Sequence, residues 1–199
     1  FGYYIDKRVL DTLVEKDSEA LLAGESRKIC IFFLDIRDFT QLSTTRSAQE
    51  MVQFLNFFFG GLTGVIQRNA GFVNKFIGDG ILAFFMTGEN PVGDGIAAAR
   101  GIVAETARLN EARGFEKFIG GWEVRVGIGI HYGEVILGNI GSEQKMDFTI
   151  IGEHVNITSR IESLTKEVGA AVLISDDARA AAGDGVFCRE VGHFNVKGI

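Results

Sequence analysis

Two aspartates lie beside apolar strands, at positions where an ionised side chain is unfavourable unless it has a structural or functional role. Asp35 follows the apolar run at 28–34, and Asp79 lies in the turn Gly78-Asp79-Gly80 of a predicted hairpin. Each has an ordinary structural explanation, since Asp-Gly is a strong hairpin signal and an Asp that closes a strand often caps the next element. Together they predict a cation site, because ionised carboxylates brought close repel each other unless a cation lies between them.

The ligand chemistry of this pair favours a hard cation. Carboxylate oxygens suit magnesium or manganese, ions that commonly serve phosphate chemistry. Zinc is disfavoured because its usual ligands show no paired spacing; they are Cys30, Cys188, His131, His154 and His193. We therefore expect a magnesium or manganese site.

A second polar pair lies in a segment with helical character. On a helix, Asn156 and Arg160 share one face and can reach one ligand together. The amide suits a sugar oxygen, and the planar guanidinium matches phosphate oxygens. A solvated polar face explains the same spacing, so the local sequence leaves both interpretations open.

The elements that must position these residues alternate between helix and strand. Apolar residues recur at helical spacing from Ile5 to Val14, and Ser47 with Glu50 forms a capping box that begins a helix ending near Gly71. The other predicted elements are a strand at 28–34, a hairpin at 71–86, a helix at 94–112, strands at 122–131 and 134–140, a helix at 153–168, a strand at 171–175 and a last strand or hairpin at 187–197. This order predicts an α+β fold, an α/β sandwich: a ferredoxin-like β-α-β-β-α-β antiparallel sheet with helices on one face and extra C-terminal strands.

Composition narrows the class of protein. A chain of 199 residues with 46% apolar content can bury one sizeable core, so we expect one domain at 23–199 preceded by an N-terminal helix or linker at 1–22. The net charge of −6 argues against a nucleic-acid binder. Two distant cysteines, with no signal peptide or apolar stretch of membrane length, predict a cytoplasmic domain without direct membrane insertion. The ends at Phe1 and Ile199 predict a piece of a longer protein, with regulatory or membrane regions outside it.

The motifs at 33–40, 74–80 and 147–160, taken in order, resemble one enzyme family. From about residue 28 to 197 the chain is similar to the catalytic domain of the class III nucleotidyl cyclases, the adenylyl and guanylyl cyclases. Residues 1–5 resemble the segment that often precedes this domain in bacterial multidomain cyclases. The resemblance is specific because several motifs occur in the family's order, whereas the ferredoxin-like fold alone hosts many functions.

The resemblance implies two Mg²⁺ or Mn²⁺ ions, held by Asp35, Asp79 and the backbone carbonyl of Ile36. It implies an in-line attack of the ribose 3′-hydroxyl on the α-phosphorus of the substrate, without a covalent enzyme intermediate. It also implies that the backbone of one loop cradles the phosphates, at Ile36, Arg37, Asp38, Phe39 and Thr40.

Three further residues acquire roles from the same resemblance. Asn156 matches the Asn that positions the ribose, and Arg160 matches the Arg that stabilises the transition state. Lys197 matches the lysine that binds the terminal phosphates, although its local sequence is equally explained by an exposed lysine at the end of a strand.

Two positions bear on the choice of nucleotide. In the family, the residues that match Lys75 and Thr149 read the purine edge, and guanylyl cyclases characteristically carry Glu and Cys there. Lys only donates hydrogen bonds and Thr can do either, which suits the N1 acceptor and N6 amino group of adenine. ATP is therefore the expected substrate, with cyclic AMP and pyrophosphate as products. The alternatives are a guanylyl cyclase and a catalytically silent nucleotide-binding regulatory module. Thr149 also resembles a largely bacterial subgroup with bicarbonate-responsive members, which implies bicarbonate as an activator.

Subunit association is the last expectation. A Phe-rich helical stripe is more apolar than a surface helix requires, at Phe54, Phe57, Phe58 and Phe59. Core packing explains most of it, and a subunit interface is the alternative for part of it. The resemblance implies a homodimer with two symmetric sites at its interface, in which the purine reader and the metal carboxylates of one site come from different chains.

Overall fold

The computed structural model of the chain describes residues 24–142 and 145–194. The predicted helix at 5–14 and the predicted phosphate-binding Lys197 lie outside these ranges. Of the helices in the described ranges, none is both long enough and apolar enough to cross a membrane.

The described ranges contain six strands and six helices. The strands are β1 (Glu25–Ile36), β2 (Phe72–Ile77), β3 (Gly80–Phe85), β4 (Val126–Ser142), β5 (Lys145–Ile151) and β6 (Val172–Ile174). The helices are α1 (Phe39–Ser43), α2 (Ala48–Arg68), α3 (Pro91–Glu111), α4 (Glu116–Ile119), α5 (Glu153–Val168) and α6 (Asp176–Ala182).

The strand order of the sheet is β2-β3-β1-β4-β5, with β6 paired to β4. Neighbours along this path are antiparallel, and only the β4–β6 pair is parallel. Strands β1 to β4 with α2 and α3 form the ferredoxin-like core, and β5 and β6 are the extra C-terminal strands. The predicted fold class is therefore confirmed.

The two faces of the sheet bury different layers because side chains alternate along a strand. On one face, Phe32 and Leu34 of β1 pack in the larger apolar cluster with Phe54 of α2 and Ile102 of α3. Ile31 points to the other face and belongs to a second cluster. The core helices α2 and α3 thus share one face, whereas α5, which follows the core, packs on the opposite face.

Helix α5 lies unusually close to β4. A Cβ atom on Gly129 would stand 2.4 Å from the Glu162 backbone nitrogen and 2.7 Å from the Thr158 carbonyl oxygen. Real Cβ atoms do not approach backbone that closely, so this contact requires glycine. The close approach fixes which side of α5 faces the sheet: Thr158, Ile161, Glu162 and Thr165 are its buried residues.

The Phe-rich stripe lies on α2, which begins at the predicted capping box of Ser47 and Glu50. Three of its aromatic residues are buried, and two of them, Phe54 and Phe58, pack edge-on against Phe115. The core interpretation is therefore confirmed for most of the stripe. Phe57 keeps 40% of its surface exposed, and its part in an interface stays a prediction.

Three strand predictions need correction. The segments 122–131 and 134–140 are not two strands, because β4 begins at Val126 and runs without a break through Gly133, which pairs with Ile29 of β1. Strand β5, which overlaps the start of the motif at 147–160, was not predicted as a strand. The prediction of a strand from residue 187 is wrong for the described residues 187–194, which form neither strand nor helix and leave Phe187 99% exposed.

Strand β5 occupies an unexpected place. It is hydrogen-bonded to the C-terminal half of β4 at one edge of the sheet, whereas β2 forms the other edge. Even so, Ile150 of β5 packs in the same apolar cluster as Phe72 of β2 and Leu82 of β3. The β4–β5 hairpin thus curls over the sheet and brings β5 against β2, where Asn74 forms hydrogen bonds with Phe148 and Thr149.

Candidate active site

The two predicted metal carboxylates meet where β1 and β3 pair. Leu34 lies opposite Ile81, so Asp35 lies beside the turn that holds Asp79. This turn is a two-residue loop, Gly78-Asp79, since Ile77 already pairs with Gly80. The loop places Gly78 at φ 61°, a conformation that glycine adopts without strain. Backbone pairing alone therefore assembles the carboxylate pair.

The environment of the pair disfavours two negative charges. Burial raises the pKa of Asp79 to about 6, and the charge of Asp35 acts in the same direction. A hydrogen bond from the Asp79 backbone opposes both effects without cancelling them. A bound cation would remove this repulsion, so the electrostatics match the predicted metal site.

A third carboxylate, Glu162 of α5, faces the same region and was missed in the sequence. Burial raises its pKa to about 7, the charge of Asp35 adds to the increase, and Arg37 opposes it. Its Oε1 atom is buried without a hydrogen-bond partner, with the nearest Arg37 nitrogen at 3.7 Å. The signal that could have found Glu162 is its four-residue spacing from Thr158, which places both on the sheet-facing side of α5.

The pair fits a hard divalent cation that shares its coordination with a substrate. Among the described residues, no group of three or more His, Cys, Asp and Glu side chains is arranged to hold a metal ion. Asp35 and Asp79 alone would be an incomplete set of oxygen ligands for a metal ion, and the part of the Ile36 carbonyl in that set stays a prediction. Magnesium is typically bound in this way, through one or two carboxylates and the phosphates of its substrate.

The loop after β1 holds the residues of the predicted phosphate cradle. The Arg37 backbone N–H donates to the Arg125 carbonyl at 2.8 Å, so this N–H is already paired in the structure, and phosphate binding at Arg37 stays a prediction. The Arg37 side chain donates to Thr165 and lies beside Glu162, which ties the loop to α5. Phosphate binding by the backbone of Phe39 and Thr40, in the first turn of α1, stays a prediction.

Asp38 has a structural task that the sequence did not reveal. Its backbone adopts the left-handed conformation at φ 56°, which Asp tolerates better than most residues. Its carboxylate pairs with Arg125 and with Lys166, each at 3.2 Å. These two ion pairs hold the loop against the segment before β4 and the last turn of α5, so only the backbone of Asp38 is left for the predicted cradle.

The two predicted purine readers lie on strands that the fold brings together. Thr149 of β5 donates from Oγ1 to Oδ1 of Asn74 at 2.9 Å, and Asn74 directly precedes Lys75 on β2. Asn74 also donates from Nδ2 to the Phe148 carbonyl at 3.0 Å. Thr149 and Lys75 thus belong to one region of one chain. Asn74 was missed, because no local pattern reveals a contact between residues 75 positions apart.

Asn156 and Arg160 lie on the far side of α5. Each is two residues from Thr158, which faces the sheet, and two residues at about 100° each turn a side chain to the opposite side of a helix. Asn156 is exposed and Arg160 half-buried. The structure therefore does not bring these two residues to the Asp35–Asp79 pair of the same chain.

The histidines offer no zinc site within the described ranges. His131 Nε2 lies 2.7 Å from His154 Nδ1, and His131 Nδ1 lies 2.7 Å from the Ser175 hydroxyl. Burial, and next the neighbouring His154, lower the pKa of His131 to about 4. The two rings thus form a hydrogen-bonded pair between β4 and α5, in which burial favours the neutral form of His131, in agreement with a structural role.

Known proteins of one enzyme family have sequences similar to this chain. Residues 21–199 match the model of the adenylate and guanylate cyclase catalytic domain. The chain is 32% identical over 181 residues to an adenylate cyclase of Anabaena cylindrica, a match that covers 88% of this chain and 35% of that protein. The chain spans about a third of the length of the curated relatives it matches.

Two solved structures are similar over most of their length. The guanylyl cyclase Cya2 has a TM-score of 0.80 and 32% identity, with 88% of each chain covered. The adenylyl cyclase CyaB from P. aeruginosa has a TM-score of 0.79 and 28% identity, with 88% of this chain and 90% of that chain covered. The strand order, the paired carboxylates and the matched family model agree, and the chain therefore belongs to the family of adenylate and guanylate cyclase catalytic domains.

Proposed function

We propose that this domain is an adenylyl cyclase, which converts ATP to 3′,5′-cyclic AMP and pyrophosphate. The observation that carries the proposal is the half-buried Asp35–Asp79 pair, in which burial and mutual repulsion raise the pKa of Asp79 to about 6. Such a pair gains stability when a divalent cation and a triphosphate complete the site. Retention of Asn156 and Arg160 supports an active enzyme over a silent module.

In the proposed reaction, the ribose 3′-hydroxyl releases its proton to solvent and its oxygen bonds to the α-phosphorus, while the bond from that phosphorus to the pyrophosphate oxygen breaks. Two Mg²⁺ or Mn²⁺ ions held by Asp35, Asp79 and the Ile36 carbonyl would lower the pKa of the hydroxyl and neutralise phosphate charge. Asn156 orients the ribose. Arg160 stabilises the negative charge that develops on the phosphorus oxygens, and Lys197 that on the leaving pyrophosphate.

The choice of ATP over GTP rests on Lys75 and Thr149. Lys75 donates to the N1 acceptor of adenine, and Thr149 accepts from the N6 amino group. The guanylyl cyclase Cya2 is as similar to this chain as the adenylate cyclase of Anabaena cylindrica. Overall similarity therefore does not distinguish an ATP-specific from a GTP-specific enzyme. The proposed substrate depends instead on the side chains at the purine edge.

We further propose a cytoplasmic homodimer, with two sites at the interface that each take Asp35 and Asp79 from one chain and Asn156 and Arg160 from the other. The outward direction of the last two residues supports this arrangement, since within one chain they point away from the carboxylates. ATP is a cytoplasmic substrate, and its cyclic product suits signal transduction.

The deciding experiment incubates the purified domain with ATP or GTP and Mn²⁺, and measures cyclic nucleotides by mass spectrometry. We expect cyclic AMP and a higher kcat/KM for ATP. A higher kcat/KM for GTP would make the domain a guanylyl cyclase. Nucleotide binding by a dimer without either product would make it a silent module.

Activation by bicarbonate is a separate proposal that rests on the resemblance at Thr149 alone. It predicts that sodium bicarbonate raises cyclic AMP production above that in sodium chloride at equal pH and ionic strength. Equal rates in the two salts would remove bicarbonate as an effector.

A further inference from the structure

A short hydrogen-bonded chain links the two edges of the sheet next to the proposed purine site. Asn74 Nδ2 on β2 donates to the Phe148 carbonyl on β5 at 3.0 Å, and the Thr149 hydroxyl donates to Asn74 Oδ1 at 2.9 Å. Asn74 is half-buried, and Thr149 keeps only 6% of its surface exposed. Water therefore has little access to the Thr149 hydroxyl with which to replace its hydrogen bond.

The Phe148 carbonyl fixes the donor-to-acceptor direction of these two hydrogen bonds. A carbonyl oxygen only accepts hydrogen bonds, so the amide nitrogen of Asn74 must face it. The reversed amide would set two carbonyl oxygens against each other. Asn74 Oδ1 consequently faces the Thr149 hydroxyl and accepts a hydrogen bond from it.

Among the described residues, the two groups that contact the Thr149 hydroxyl are both acceptors. Besides Asn74 Oδ1, the Ile150 carbonyl lies 3.5 Å away, too far for a strong hydrogen bond. The single hydroxyl proton is therefore committed to Asn74. The Thr149 oxygen offers only its lone pairs to any ligand that approaches from the remaining side.

We propose that Asn74 is a positioning residue for base selection, which acts through Thr149 and makes this hydroxyl an obligatory hydrogen-bond acceptor. The inference rests on the proposed function, in which Thr149 meets position 6 of the purine. An acceptor there suits the 6-amino group of adenine and opposes the 6-oxo group of guanine or hypoxanthine. Without Asn74, the hydroxyl can rotate and donate to a 6-oxo group.

Inosine triphosphate is the sharpest probe, because its base carries the 6-oxo group of guanine without the 2-amino group. The measured quantity is the ratio of kcat/KM for ATP to that for inosine triphosphate, with Mn²⁺, on the same preparation. Any fraction of unfolded protein cancels from this ratio. Asn74→Leu, which removes both polar atoms at similar size, should lower the ratio roughly tenfold, as expected for a mismatched buried hydrogen bond.

Two controls distinguish the loss of the hydrogen bond between Thr149 and Asn74 from a structural change caused by the substitution. Asn74→Asp keeps an oxygen acceptor for Thr149 but loses the donor to Phe148, so the ratio should stay near that of the wild type even where both rates fall. In a Thr149→Val background, Asn74→Leu should leave the ratio unchanged, because no hydroxyl remains to be oriented. If Asn74→Leu does not fold, Asn74→Val takes its place, since a branched apolar side chain suits a strand.

Each outcome bears on a separate claim. An ATP-preferring wild type whose ratio does not change in Asn74→Leu would overturn the role of Asn74 and leave the adenylyl cyclase proposal standing. A ratio that falls equally in the Thr149→Val background would also overturn it, since the effect would then bypass Thr149. A wild type that prefers inosine triphosphate and GTP would refute the proposed choice of ATP itself.

Discussion

The carboxylate pair and the outer face of α5 differ in what assembles them. Asp35 and Asp79 are brought together by hydrogen-bonded neighbours, β1 and β3, within one chain. Asn156 and Arg160 share a helix face, but the close packing of α5 on β4 turns that face away from the pair. Backbone pairing within one chain assembles the carboxylate pair, whereas the outer face of α5 lacks the groups it is proposed to act with.

The difference supports the proposal that each chain holds two half-sites, which form a whole site only with a second chain. In this proposal the purine-reading region belongs to the second half, with Thr149 seven residues before Asn156. A two-fold axis would set the first half of each chain against the second half of the other. The predictions below test each half and the separation between them.

The largest effect is expected from the carboxylate half. Asp79→Ala removes an oxygen ligand, and cyclic nucleotide production should fall roughly a thousandfold, since a catalytic cation contributes several kcal/mol to the barrier. The domain should stay folded because Gly78 still supports the turn. Asp184→Ala, an exposed carboxylate elsewhere, is the control and should keep full activity. Near-normal turnover by Asp79→Ala, with intact circular dichroism, would refute the metal assignment.

Mixing two inactive variants tests the separation directly. Asp35→Ala and Arg160→Ala should each be nearly inactive as homodimers. In a mixed dimer, one site carries both lesions and the other carries none. With free exchange, about half of the dimers are mixed and half of their sites are good, so activity should reach roughly a quarter of the wild-type value. No recovery, with exchange demonstrated by differently tagged chains, would place both residues in one chain's site.

The close packing of α5 on β4 can be tested through the stability of a Gly129 variant. Gly129→Ala forces a Cβ atom against the backbone of Glu162 and Thr158, and should lower the free energy of unfolding by about 1–3 kcal/mol. Gly61→Ala is the matched control on α2, where an added Cβ meets nothing within 4 Å and alanine favours the helix. Equal unfolding midpoints for Gly129→Ala and the wild type in urea would contradict the close approach that turns Asn156 and Arg160 outward.

The smallest effect concerns pH in the absence of metal. The pKa of Asp79 is about 6 in the folded chain, above its ordinary value of 3.8. The folded state therefore holds this proton more tightly, and the stability it contributes is lost as the pH rises through about 6. In the presence of a chelator, the free energy of unfolding of Asp79→Asn relative to that of the wild type should increase from pH 4.5 to pH 7.5. Added Mn²⁺ at pH 7.5 should stabilise the wild type more than the variant. A pH-independent difference would contradict the repulsion between Asp35 and Asp79.

Local sequence determined much of this molecule. The capping box at Ser47 begins α2, the hairpin of β2 and β3 falls where the pattern predicts, and α5 occupies the predicted segment 153–168. These features depend on hydrogen bonds and periodicity within about a dozen residues, which the order of side chains specifies directly. The pairing of Asp35 with Asp79 could be inferred as well, because two costly carboxylates at strand ends imply a shared cation.

Only the tertiary structure decided the long-range contacts. The continuity of β4 depends on β1 pairing across Gly133, and the place of β5 depends on apolar packing against β2. The position of the β4–β5 hairpin over the sheet also joins Asn74 to Thr149. The packing of α5 on β4 buries Glu162 near Asp35 and turns Arg160 away from the pair. Such contacts join residues far apart in the chain, and their energy comes from burial and complementary hydrogen bonds that exist only once the sheet and its helices have packed.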